Sequence, residues 1–215
     1  MALTLDSADA GTTASNTTTL TLSHDCAGSD RYLAILLDIY AIDDTGGDYV
    51  TGVTYNGVAA TQINTRKDGN VRAYIYGLAA PATGTHDIVV STSANCNISA
   101  CGISFNGAAQ SSQPNAQNVN GTTAADNVTV TVTSTVAGCW FVTSSRNSIG
   151  VPTAGAGVTG LHVGSAYGEG HSNGTQAAGA YGMTWSMASA GNMAVCGAAI
   201  GPLLSSTPTG DFKFL

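Results

Sequence analysis

Charge is what this chain has least of. Only 9% of its 215 residues are charged, against about a quarter in an ordinary globular domain. Lysine occurs twice, at Lys67 and Lys213, and glutamate once, at Glu169. The residues that favour exposed helix are therefore nearly missing, while Thr, Val, Ser, Gly and Asn abound, so little or no helix is expected. Six Lys and Arg against thirteen Asp and Glu leave a formal charge of −7 and a pI near 4.6. With no basic patch to meet phosphates, nucleic acid is not expected as a partner. No apolar run approaches the ~18 residues that suggest a membrane helix, so no membrane partner is expected either. The opening MALTLDSADAGTT has neither the basic start nor the apolar centre of a secretory signal. Synthesis in a host cytoplasm is the expectation.

Catalytic signatures are also missing. HExxH, G-x-S-x-G, the P-loop and Cys-x-x-Cys do not occur. His24, His86, His162 and His171 stand far apart, without metal-ligand spacing, and the pairs His24-Asp25 and His86-Asp87 are expected at the surface or in turns rather than as dyads. Glu169 has no carboxylate near it in sequence, so a two-carboxylate glycosidase site is not supported. No enzyme is expected, and no cofactor beyond a candidate Ca²⁺ site described below. Five cysteines leave at least one unpaired. Cys101, Cys139 and Cys196 each sit in an apolar run, where a reduced thiol behaves as a small buried hydrophobe. Cys96 and Cys101 could pair only if a bend brought them together.

What remains is a grammar of short apolar-alternating runs punctuated by Gly, Asn and Pro. The chain has 43% hydrophobic residues and is long enough to bury roughly 70% of its unfolded surface, so it needs no disulfide or metal. Arg31 to Ala41 (RYLAILLDIYA) is apolar on both faces, as befits a strand covered on both sides. Asn56-Gly57 within VTYNGVAATQI is the strongest hairpin signal. Val71 to Leu78, His86 to Thr92 and Ile98 to Phe105 read as three strands, the last closed by Asn106-Gly107. SSQPNAQNVNGTTAAD, from Ser111, reads as a long crossing loop. NVTVTVT, CWFVTS, two Gly-interrupted strands and MAVCGAAIGPLL complete about ten strands. The fold class is all-β, an antiparallel two-sheet β-sandwich. One domain is expected over 1–204, with a tail over 205–215. No fixed-period repeat of a solenoid is found.

The order of these motifs carries a resemblance. A TYNG hairpin, an aromatic strand (AYIYGLAAP), a strand begun by Gly (ATGTHDIVV), a strand ending FNGAAQSSQP, a Gly/Ser-rich strand (GSAYGEGHSNGT), a TWS strand and a close on AAIGP follow one another. From about Val50 to Pro202 this resembles a jelly-roll-like β-sandwich domain of phage virion structural proteins and bacterial surface proteins. The resemblance implies structural or adhesive work at a particle or cell surface. Lack of a signal peptide turns that expectation toward a virion component, a capsid decoration or tail-associated protein forming homo-oligomers with itself and with other virion proteins. The alternative is a lectin-like, carbohydrate-binding surface module, extracellular or at the cell surface.

Two groups of residues are candidate sites. Asp43, Asp44 and Asp48 offer hard oxygen ligands on a loop loosened by Gly46 and Gly47, which suits Ca²⁺; a solvated loop that discourages edge pairing is the preferred reading. Phe212, Phe214 and Leu215 place three apolar residues in the last four, which suits docking on a neighbouring subunit or on the chain's own sandwich.

Overall fold

The computed structural model describes residues 2–42 and 47–204. Among them the chain is all-β, with fourteen strands rather than about ten, arranged in two antiparallel sheets. The first sheet opens with β1 (Thr4–Ala8) and β2 (Thr12–Cys26). It continues through β3 (Tyr32–Ala41), β4 (Val50–Tyr55), β5 (Val58–Ala59), β6 (Thr61–Asp68), β7 (Val71–Ala79) and β8 (Gly84–Asn106). Its order is β5-β4-β8-β3-β7-β6, with β1 and β2 laid along the opposite edge of β8. The second holds β9 (Ala116–Ser134), β10 (Trp140–Asn147), β11 (Thr153–Ala154), β12 (Thr159–Val163), β13 (Tyr167–His171) and β14 (Gly179–Ile200). Its order is β11-β14-β10-β13-β12, with β9 on β14.

Two expectations change here. The runs His86 to Thr92 and Ile98 to Phe105 belong to one 23-residue strand, β8, and the polar STSANCN between them holds the irregularity in its pairing with β2, which resumes at Ser91 and at Cys96. The polar stretch from Ser111 is not all loop: β9 begins at Ala116, and its Thr, Asn and Gly residues pair along β14. The Asn56-Gly57 turn is where it was expected, both residues at positive φ (49° and 76°) between Tyr55 and Val58.

The long strands bend, and the bends make the cores. The β2–β8 register breaks between Ala14 and Thr19. Beyond the break, the outer parts of β2 and β8 fold back with β4 over β3 and β7. Leu20, Leu22, Val53, Tyr55, Ile88 and Val90 thereby pack on Leu33, Ile35, Leu37, Ile39, Tyr74 and Tyr76. The other face of the same sheet, through Ala34, Leu36, Ala73, Ile75, Cys101 and Ile103, meets Val142, Ala194, Cys196 and Ala198 of the second sheet. Small residues let those two faces approach closely enough for side chains to bond backbone across the gap. Ser144 Oγ donates to Leu37 O at 2.9 Å, Cys196 Sγ to Ala73 O at 3.1 Å, and Asn64 Nδ2 to Gly197 O at 2.9 Å. All five cysteines are free and buried. Five positions apart on β8, Cys96 and Cys101 point to opposite faces, one into each core.

The second half repeats the plan of the first. In each, a long arm leads to an inward strand, then to a short strand on the far arm, then to two paired strands, then to the far arm itself. Registers match: Leu20 opposite Val90 recurs as Val128 opposite Trp185, and Leu36 opposite Cys101 as Ser144 opposite Cys196. Cys101-Gly102 and Cys196-Gly197 hold the same place. The β9–β14 ladder also slips mid-way, between Ser186 and Met193, and folds Val128, Val130, Met183 and Trp185 over Phe141 and Val195. Where the first half packs Tyr74 with Val90, the second has Gly168 with Trp185. A Cβ on Gly168 would stand 2.4 Å from the Trp185 ring, so the indole occupies the volume that the tyrosine fills in the other half.

Candidate functional site

Four of the chain's ionisable groups, Asp38, Arg146, His162 and Glu169, converge between the sheets. Asp38 interrupts the apolar strand β3 on the face turned to the second sheet, where Arg146 of β10 donates from Nη1 to its Oδ1 at 2.8 Å. Glu169, the only glutamate, lies on β13, near enough for its charge to bear on the Asp38 carboxyl. Ser99 Oγ of β8 donates to Glu169 Oε1 at 3.2 Å, and His162 Nδ1 of β12 lies 3.1 Å from Glu169 Oε2. Asp38, Ser99 and Glu169 are completely buried. Gly11, at φ 72°, allows the segment between β1 and β2 to cross the imidazole; a Cβ there would collide with the His162 ring.

Electrostatics follow from burial. Two carboxyl groups buried near each other disfavour double ionisation. Burial pushes Asp38 well above the usual carboxylate range, with the charge of Glu169 adding to it and Arg146 opposing. Burial lifts Glu169 to about 7, against the pull of its hydrogen bond to Ser99 and of Arg146. Burial also holds His162 below the ordinary histidine value. Arg146 lies between the rings of Tyr40 and Tyr167, 5.7 and 5.9 Å from their centroids.

The cluster fastens. It draws Asp38 and Ser99 from the first half and Arg146, His162 and Glu169 from the second. Removing one member of such a buried pair strands the other charge, at a cost of about 3–5 kcal/mol.

Other expectations fall differently. Glu169 does have a carboxylate partner, 131 positions away in sequence. His24 is not a surface residue: it is buried, with Nδ1 2.6 Å from Asp9 Oδ2. Burial alone would lower its pKa, but hydrogen bonds to Asp9 and Cys26 raise it to about 9. His171 is buried too, edge-on to Trp140. Asp48 accepts from the Tyr74 hydroxyl at 2.9 Å and from Val50 N–H. It lines a cleft of about 340 Å³ with Arg66, Lys67 and Arg72. Asp43 and Asp44, like Phe212, Phe214 and Leu215, lie outside the described residues. Among the described residues, no group of three or more His, Cys, Asp or Glu is arranged so that it could hold a metal ion. One signal in the sequence points to the buried cluster: a lone charge inside an apolar run, as Asp38 is, must find a partner.

No family model, curated protein or solved structure matches the chain.

Proposed function

We propose that this chain is a non-enzymatic structural protein of a viral particle, a phage capsid decoration or tail-associated subunit made in the host cytoplasm and working through subunit–subunit interfaces. The observation that carries the reading is the division of labour between interior and surface. Asp38, Arg146 and Glu169 are spent inside, on holding the halves together. What the long arms offer outside is hydroxyl and amide surface. β2 runs for fifteen residues, pairs among the described residues with β8 alone, and presents Thr17, Thr19, Thr21 and Ser23. A long strand edge of this kind can add a strand from another subunit. The tail with Phe212, Phe214 and Leu215 is a second contact in this reading.

Mass spectrometry of purified particles from the source culture tests it. The expected result is a fixed, symmetric copy number per particle. Finding the protein only free or bound to cells would overturn the virion role and favour the surface-module alternative.

A further inference from the structure

One small pocket opens beside the buried cluster and shares Arg146 with it. Its volume is about 130 Å³. Thr13 and Ser15 of β2 and Asn97 of β8 form one wall, and Ser165 and Tyr167 the other, with Arg146 among the lining residues. Its lining is rich in donors and free of carboxylates, in a chain of net charge −7. Asn97 Oδ1 already accepts from Asn16 N–H at 3.0 Å, so what Asn97 can still donate is its amide N–H₂. The Arg146 side chain is more than nine-tenths buried. Of the five N–H donors a guanidinium carries, it uses Nη1 on Asp38, and Nε is buried with no partner. A buried donor left unmatched is costly. A planar two-oxygen acceptor suits the guanidinium fork and its stacked tyrosine rings better than a spherical ion does.

We propose that this pocket binds a small carboxylate, of the size of acetate or lactate, held by Arg146 with the Asn97 amide and the surrounding hydroxyls. The site is separate from the interface role above, and its test does not depend on particles. The probes are acetate and lactate, with acetamide and lactamide as neutral isosteres, titrated into the full chain while the Arg146 Nε–H and Asn97 side-chain amide signals are followed by NMR. The expected result is a saturable shift of both signals with the carboxylates and none with the amides. Asn97→Asp keeps the acceptor for Asn16 but sets a like charge in the pocket. It should weaken binding by about tenfold or more, since like charges brought together cost more than the ~1.4 kcal/mol that a factor of ten requires. Ser165→Leu, on an exposed loop position, fills the mouth and should have the same effect without touching the cluster. Equal responses to acid and amide, no saturable shift at either signal, or unchanged affinity in both variants would overturn the proposal.

Discussion

A carboxyl buried as deeply as that of Glu169 ties folding to pH with a definite sign. Its folded pKa, about 7, lies above the ordinary value of 4.5, so the folded state holds the proton more tightly than the unfolded one. The stability this contributes is full below about 4.5 and is lost as pH rises through about 7. Asp38 shifts in the same direction. His24, raised to about 9, contributes fully below 6.5 and loses its contribution as pH rises through 9. His162, shifted downward by burial, opposes them. Thermal melting should therefore peak in mildly acidic buffer and fall between pH 5 and 9. Glu169→Gln should flatten the part of that fall between pH 5 and 7, which is worth about 3 kcal/mol for a shift of this size. A melting profile unchanged by the substitution would show that Glu169 does not carry the dependence.

At the scale of the element, the bent arms decide what the molecule can do. Among the described residues β2 has β8 on one side and no strand pairing on the other, and no lysine or proline guards its length. If subunits join along it, Thr21→Lys should lower self-association several-fold, by placing charges at a strand junction. Sedimentation velocity over a concentration series measures this, and an unchanged sedimentation coefficient would take β2 out of the interface. Strand identity was readable where pattern was strong: RYLAILLDIYA declared a doubly covered strand, and Asn56-Gly57 declared a turn. The polar segments STSANCN and NVNGTT misled for separate reasons: the first holds the break in the β2–β8 ladder, and the second pairs along β14 with its side chains exposed or half-buried, so neither shows apolar alternation. Cluster membership was harder to read. Asp38, Arg146 and Glu169 are single charges on three strands far apart in sequence, and only the packing of one sheet on the other brings them together.

For the whole molecule, the matching halves meet through their inner layers, so anything that separates those layers exposes one of the three cores. Asp38→Asn should destabilise the fold by about 3–5 kcal/mol, leaving Arg146 buried without its counter-ion. Exchanging the pair, Asp38→Arg with Arg146→Asp, should recover part of that loss, and chemical denaturation of the single and double variants measures the coupling. A double variant no better than the sum of its singles would mean that surroundings, not the pair, determine the cost.

Asp38 and Arg146 occupy the same place in the repeated plan, Asp38 opposite Ser99 as Arg146 is opposite Ala194. In an assembly of two identical copies facing each other in this way, that position would confront itself, acid against acid or base against base. Covalent fusion of the halves lifts this restriction. Opposite charges can then share one symmetric location, so the bond that holds the halves together is one that two separate, identical chains could not form.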